Sequence, residues 1–259
     1  TFRSANRYGI GLHIAGDRNT ITQTGSLHAD GSEGAGIRIE GIGNQVLIAA
    51  GTTVSANGEN GKGVLISHGD GAHLVNLGTI EATGITGVGV YLNSGTWSDE
   101  YWTVTNGKAR QFDNTGVINA GSNDAIRLAG SRNDMTINFM NGSSVTGHIT
   151  AETGSKATLT FGKKAASDGT ASADLNPGAV MSMTGNINGG DGVAVNVLAG
   201  TFTQTGSATV AAATAGAGAV WNITGDLVNH GQFGLAANGD QSGTIKVSGQ
   251  ADIANSKIV

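Results

Sequence analysis

The sequence contains no cysteine, a single proline (Pro177) and few aromatic or charged side chains. Aromatic residues make up 5% of the 259 residues, so the core has to be assembled from many small aliphatic side chains rather than from large aromatic anchors. The lack of cysteine has two open explanations. It is either an accident of composition or a property of a chain that crosses an oxidising compartment unfolded and has to avoid early disulfides.

Charge and hydropathy exclude two further classes of interaction. The net charge is −5 and the one basic cluster is Lys163–Lys164, whereas a nucleic-acid-binding surface needs a stripe of lysine and arginine to neutralise phosphates. No apolar run approaches the roughly 18 residues that a membrane-spanning helix requires. No signal peptide is recognisable, and we interpret the start, TFRSANRYG, as that of a mature segment or an excised fragment.

Glycine is abundant instead, with 44 residues, more than twice its usual share of about 7%. The segment GSLHADGSEGAGIRIEG at 25–41 recurs in outline as GTIEATGITGVGVYLNS at 78–94. The glycines that coincide are Gly25, Gly31, Gly34 and Gly36 with Gly78, Gly84, Gly87 and Gly89. One pattern is therefore repeated with its glycines kept and its other residues changed.

The repeat has a nearly constant period. A small residue followed by two alternating apolar residues recurs in steps of 25, 27, 26 and 36 residues, counted between Leu12, Ile37, Val64, Val90 and Ile126. Ala125 replaces the glycine in the last copy. Each unit holds three short alternating strands between Gly, Asn and Asp turns, and no helical periodicity is present.

A period of this length without a helix signal indicates a stacked repeat. We predict an all-β fold, a right-handed parallel β-helix with three short strands per ~25-residue coil and about ten coils, which fills residues 1–259 as a single unit. A β-propeller is the alternative, but its period is about 40–45 residues and its blades carry aromatic signatures that are missing here.

Stacking places equivalent residues of successive coils in columns about 4.8 Å apart. The predicted buried column is Leu12, Ile37, Val64, Val90 and Ile126. The outward residues beside it form what we call the His13 column, predicted as a secondary binding face: His13, Arg38, Leu65, Tyr91 and Arg127. Amides two residues before a glycine are predicted to form ladders at a turn: Gln23, Asn76, Asn114, Gln204 and Asn229.

The sequence offers no recognisable catalytic or metal-binding motif. No serine lies in a G-x-S-x-G motif, and the six histidines do not occur at metal-ligand spacing. The Asp-Asp and Gly-His-Gly phrases of pectin-degrading β-helices are missing. The calcium-binding nonapeptide has its nearest match at 189–197, where Ala194 stands in place of the required aspartate. We therefore predict no catalytic residue, no metal and no cofactor.

The step of 36 residues indicates an excursion from the coil. We predict a protruding loop at 94–113, where aromatic and acidic side chains are concentrated, and a second, flexible loop at 163–178. Tyr91 lies at the base of the first loop. The candidate binding residues are Tyr91, Trp97, Asp99, Glu100, Tyr101, Trp102 and Phe112. The alternative is that this loop folds back and covers the side of the helix with its own aromatics.

Several phrases of the repeat resemble a known family. NLGTIEATG, NTGVINAGSNDAIRLAG, MTINFMNGSSVTGHI and AVWNITGDL are similar to the passenger domains of bacterial autotransporters, and the likeness covers most of the chain. The resemblance implies a passenger that is threaded unfolded through an outer-membrane barrel and folds at the cell surface or outside the cell. Contact with the membrane would then occur only through a translocator barrel, which is missing from this sequence.

The resemblance leaves several functions open. The first is adhesion or self-association without catalysis, with a host surface glycan, a host protein or another copy of the chain as the partner. The second is the non-catalytic stalk of an autotransporter serine protease. A polysaccharide-degrading β-helix enzyme is the third. The fold alone does not decide among these functions, because they share the same repeat.

Overall fold

The short alternating strands of the repeat each pair with the equivalent strand of the next coil. A computed structural model describes residues 1–67, 71–93, 111–130 and 134–259, and within these ranges the chain forms strands and turns but no helix. Twenty-six of the described strands join in one continuous parallel arrangement. The prediction of a parallel β-helix is therefore confirmed.

The described residues pass through ten coils. The first four coils contribute three strands each: β1 (Phe2–Ser4), β2 (Ile10–Ile14) and β3 (Thr20–Gln23); β4 (Leu27–Ala29), β5 (Ala35–Ile39) and β6 (Gln45–Ile48); β7 (Thr53–Ser55), β8 (Lys62–Ser67) and β9 (His73–Asn76); β10 (Thr79–Glu81), β11 (Val88–Asn93) and β12 (Gln111–Asn114).

In each of the fifth and sixth coils, one long strand contributes to two faces of the helix. These coils are β13 (Val117–Ala129) with β14 (Asp134–Phe139), and β15 (Ser144–Ala151) with β16 (Lys156–Phe161). The pairing of β13 with β15 shifts register between Asn119 and Asp124, where the strand turns the corner. An antiparallel hairpin, β17 (Lys163–Ala165) and β18 (Ala171–Leu175), then leaves the coil.

Four coils complete the described chain. They are β19 (Val180–Thr184), β20 (Ile187–Asn188) and β21 (Val193–Val197); β22 (Thr201–Thr205) and β23 (Ala208–Ala215); β24 (Val220–Ile223) and β25 (Leu227–Leu235); and, after the small hairpin β26 (Ala237–Asn238) and β27 (Gln241–Ser242), β28 (Thr244–Val247), β29 (Ala251–Asp252) and β30 (Lys257–Ile258).

The strands of successive coils stack on three sides of the helix. The first face contains β1, β4, β7, β10, β19, β22, β24, β28 and the start of β13 and β15. The second face begins with β2, β5, β8 and β11, and the third with β3, β6, β9, β12, β14 and β16. The predicted buried column is in register on the second face, from Leu12 through Ile126.

The core changes character along the axis. Isoleucine, valine and leucine fill the first coils, where Ile37, Val64 and Val90 are completely buried. Aromatic rings fill the later coils, with centroid distances of 4.7 Å between Phe139 and Phe161 and 3.8 Å between Phe161 and Phe202. Trp221, from the phrase AVWNITGDL, continues this stack and is fully buried. Stacked rings thus join the aliphatic side chains of the later core, where Val195 and Val210 are still completely buried.

The repeated glycines mark a position where two coils approach too closely for a side chain. A Cβ atom on Gly36 would lie 2.5 Å from Cγ1 of Val54 and 2.6 Å from the carbonyl oxygen of Gly63. A Cβ atom on Gly63 would lie 2.5 Å from Cγ2 of Ile80 and 2.6 Å from the carbonyl oxygen of Gly89. Glycine at positions 36 and 63 is therefore required by the stacking of the first face against the second, whereas the last copy accommodates Ala125.

Part of the predicted amide ladder forms. Asn76 Nδ2 donates to Asn114 Oδ1 at 2.8 Å, and Asn114 Nδ2 donates to Ser143 Oγ at 2.7 Å, with all three residues buried. Gln204 and Asn229 are also buried, but their amides bond to backbone carbonyls of nearby turns and, for Asn229, to Ser256. The ladder thus extends from Asn76 in the third coil through Asn114 in the fourth to Ser143 just before β15, without including every predicted member.

The segment 163–178 contains an antiparallel hairpin followed by a turn, and its predicted flexibility stays a prediction. Ala165 pairs with Ala171, and the Ala166 amide donates to the Thr170 carbonyl at 2.8 Å. The hairpin folds back over the outer side of the third face, since a Cβ on Gly169 would lie 2.6 Å from Leu77 Cδ2. Its tip therefore reaches from the sixth coil to the third.

Candidate binding site

The predicted aromatic loop is described only at its end. Trp97, Asp99, Glu100, Tyr101 and Trp102 lie outside the described residues, and their binding role stays a prediction.

Phe112 belongs to strand β12, is completely buried and pairs in register with Leu74 and Ile137. The prediction that Phe112 is a surface anchor is wrong, because the strand directs this ring into the core. The excursion ends before Gln111, not at residue 113 as predicted.

The His13 column forms on the second face as the period predicts. His13, Arg38, Leu65, Tyr91 and Arg127 are successive partners in the parallel register. Each of these side chains is exposed or half-buried. The column is therefore a row of accessible side chains, and its role in binding stays a prediction.

Acidic partners neutralise the cations of this column. Glu40 accepts hydrogen bonds from His13 Nε2 at 2.8 Å and from Arg38 Nε at 2.9 Å. Burial raises the pKa of Glu40, but the hydrogen bonds from His13 and Arg38 outweigh burial and hold this pKa below its usual range. Arg127 donates to Glu152 from Nε at 3.0 Å and from Nη2 at 2.8 Å. The second face thus presents paired charges rather than a field of one sign.

A buried carboxylate lies beneath the hairpin on the third face. The Asp113 side chain is completely buried, and His73 Nε2 lies 2.7 Å from its Oδ2 atom. Gln111 Nε2 donates to Oδ2 at 2.8 Å, Asn138 Nδ2 donates to Oδ1 at 2.6 Å, and the Ala171 amide of the hairpin donates to Oδ2 at 3.0 Å. One carboxylate therefore ties the third, fourth and fifth coils to the hairpin.

The hydrogen bonds decide the ionisation of Asp113. Burial raises its pKa, but the donors His73, Asn138 and Ala171 together lower the pKa below its usual range. A carboxylate that accepts this many hydrogen bonds is strongly favoured in its charged form. Asp113 is thus a fixed negative charge that orients the His73 ring.

A groove lies between the hairpin tip and the outer side of β3, β6 and β9. Its volume is about 240 Å³, and its lining includes Thr20, Thr22, Gln45, Leu47, His73, Val75, Asp168 and Thr170. Asp168 at the tip accepts hydrogen bonds from the Thr170 amide at 3.0 Å and the Thr170 hydroxyl at 2.7 Å, and these bonds lower its pKa. Within the described ranges no hydrogen bond to His73 Nδ1 is formed, so this nitrogen remains available in the groove wall.

Sequence reasoning missed this site for an identifiable reason. The spacing of the repeat includes Asp113 in the excursion, and the composition of 163–178 predicts a flexible loop, so the sequence places neither on the third face. The Asp168-Gly169 pair is typical of a tight hairpin turn, and the alternation of Gln111, Phe112 and Asp113 is typical of a strand. Those two signals could have identified the hairpin and the strand, but not their contact.

A different surface lies on the first face of the seventh to ninth coils. It is a flat array of uncharged side chains that we call the hydroxyl face: Val180, Ser182, Thr184, Thr201, Thr203, Thr205, Val220 and Asn222. Register places Ser182, Thr203 and Asn222 in one column. Neighbouring side chains are spaced about 4.8 Å along the axis and about 6.6 Å along each strand.

Comparison with protein families, with curated proteins and with solved structures gives no match to this chain. In the described ranges no helix could cross a membrane. The same ranges contain no group of three or more His, Asp or Glu side chains placed to hold a metal ion.

Proposed function

We propose that the chain is a β-helical passenger segment of an autotransporter that acts at the bacterial surface by self-association and adhesion, without catalysis. The observation that carries the proposal is the hydroxyl face. Ser182, Thr184, Thr203 and Thr205 are exposed there, and none of the eight side chains of this face is charged. The partner that this chemistry favours is a second copy of the chain.

Two copies of the hydroxyl face are complementary to each other. Each hydroxyl both donates and accepts a hydrogen bond, so a hydroxyl array fits an identical array, whereas faces of one charge sign repel each other. The threonine methyl groups and Val180, which is 62% exposed, add apolar area between the hydroxyls. Because the same spacing recurs on each coil, many weak contacts form together and add through avidity.

The inert stalk of a serine protease remains the alternative function, and it differs by predicting no interaction between copies.

The test is aggregation of cells that display the full-length protein. The triple variant Ser182→Glu, Thr203→Glu and Asn222→Glu places three like charges in one column, and two opposed copies would then repel each other. We expect aggregation to fall by about tenfold or more, since even 1.4 kcal/mol of lost association energy has that effect. Sedimentation of the purified segment should show the same loss.

A matched variant controls for charge and stability. Ala194, Ala212 and Gln232 form an equivalent column on the third face of the same coils. Their replacement by glutamate adds the same net charge, and we expect aggregation and melting temperature to stay near the wild-type values. Equal aggregation of both variants and the wild type would contradict the proposal, as would a wild-type segment that never associates.

The predicted aromatic loop provides a second, independent test of adhesion. We expect the triple variant Trp97→Ala, Tyr101→Ala and Trp102→Ala to weaken binding to host cells by about 2 kcal/mol or more, because tryptophan and tyrosine dominate binding hot spots. The melting temperature should barely change. A large drop in melting temperature would show instead that these aromatics pack against the helix.

A further inference from the structure

We propose that the groove at the hairpin tip is a binding site for one ring of an uncharged saccharide. This inference goes beyond self-association, since it concerns the third face and a ligand of different chemistry. The insertion of a hairpin into a solenoid is what creates the groove, because the tip adds a wall to an otherwise flat sheet.

The groove combines groups of the kinds that hydroxyl-rich ligands require. Asp168 supplies acceptors, Gln45 supplies both donors and an acceptor, and the hydroxyls of Thr20 and Thr22 supply both. Thr20, Thr22, Gln45 and Asp168 are all exposed, so these groups are open to a ligand. They surround the half-buried side chain of Leu47, against which the C–H face of a sugar ring can lie, while Val75 beside it is mostly covered by the hairpin.

Two of the polar groups are held in place before a ligand arrives. His73 is fixed through the bond of its Nε2 to the buried Asp113 carboxylate, with its ring 23% exposed at the groove. Asp168 is fixed by its two hydrogen bonds from Thr170. Preorganisation of this kind lowers the entropy that binding would otherwise lose.

Size and charge narrow the class of ligand. A volume of about 240 Å³ lies below the roughly 300–1,000 Å³ of pockets for drug-sized molecules, which limits the groove to about one ring. Among the described residues, the lining contains the carboxylate of Asp168 but neither lysine nor arginine, and the Asp113 carboxylate lies directly behind His73. A uronic acid or sialic acid would be repelled, whereas a neutral sugar would not.

The experiment is saturation-transfer NMR of the purified segment with trisaccharides at about 10 mM, a concentration that detects affinities in the millimolar range. The probes are maltotriose, cellotriose, laminaritriose and chitotriose, with trigalacturonic acid as the charged comparison. We expect saturation transfer to at least one neutral probe and none to the acid. Removal of groove contacts by Gln45→Ala with Asp168→Ala should weaken the signal by about fivefold or more.

A control variant tests whether a weaker signal comes from the loss of groove contacts and not from any substitution on the third face. The variant Ala194→Gln alters the same face four coils away and should leave the signal unchanged. Proteolysis of each variant checks that the hairpin stays folded. Failure of every neutral probe to bind would overturn the inference, as would a signal that survives the groove variant. Self-association should be unaffected by the groove variant, so failure here is separable from failure of the proposed function.

Discussion

Replacement of Gly63 by alanine is expected to lower the free energy of unfolding by about 1–3 kcal/mol, the usual range for overpacking. Alanine normally stabilises relative to glycine when the backbone permits it, because the unfolded chain loses freedom. At Gly63 the new Cβ would lie 2.5 Å from Ile80 Cγ2 and 2.6 Å from the Gly89 carbonyl oxygen. The carbonyl belongs to the next coil, so the two coils would have to move apart.

Two other glycines provide matched controls for this substitution. A Cβ on Gly25 has its nearest neighbour at 3.9 Å, and a Cβ on Gly178 at 3.7 Å, with no left-handed backbone at either position. We expect Gly25→Ala and Gly178→Ala to leave stability unchanged or to raise it by about 0.4–1 kcal/mol. Urea unfolding of the three variants checks this order. If Gly63→Ala proves as stable as the controls, close approach is not the reason for the repeated glycine.

The glycines explain why so much of the fold was predictable. Gly36, Gly63 and Gly89 each precede an apolar pair, and the spacing between them is the spacing between coils. Parallel pairing at a constant period then determines which residues share a column, so the positions of Val64, Val90 and the outward Tyr91 followed from counting. In a regular coil, the face on which a residue lies can therefore be predicted from the sequence around that residue.

The binding site depends on a contact that no local pattern contains. Asp113 and the Ala171 amide are separated by 58 residues, and they meet because the hairpin folds back over earlier coils rather than out into solvent. The strand pattern could place Gln111 and Asp113 on an outer face, and Asp168-Gly169 could indicate a hairpin turn. Gly169 packs against Val75 and Leu77, and the Ala171 amide bonds to Asp113; both contacts are tertiary, so the direction of the hairpin is not a local property of its sequence.

The contact between Asp113 and the hairpin predicts a second substitution with a large effect on stability. Replacement of Asp113 by alanine is expected to destabilise the protein by about 3 kcal/mol, because each buried donor that is left without an acceptor costs about 1–3 kcal/mol. His73, Gln111, Asn138 and the Ala171 amide would all lose their acceptor. Buried donors without an acceptor are costly, since they no longer recover the hydrogen bonds that they make to water.

Acid should reproduce part of this effect in the wild type. The folded-state pKa of Asp113 lies below its usual range, which for an unfolded aspartate is about 3.9. The stabilising contribution of the carboxylate is therefore fully present above the unfolded pKa and is lost as the pH falls through the folded pKa. Asp113→Ala should accordingly show a shallower decline of unfolding free energy with acid than the wild type shows below about pH 4.

Asp168→Asn provides the matched control, because it removes the same charge from the exposed tip of the same hairpin while keeping an acceptor for Thr170. We expect this variant to stay within about 0.5 kcal/mol of the wild type, as surface substitutions usually do. Hydrogen exchange locates the effect, since the Ala171 amide should lose its protection in Asp113→Ala and keep it in Asp168→Asn. Equal stability of the two variants, with the Ala171 amide protected in both, would show that the hairpin is held by the packing of Gly169 against Leu77 and Val75 and not by the buried carboxylate.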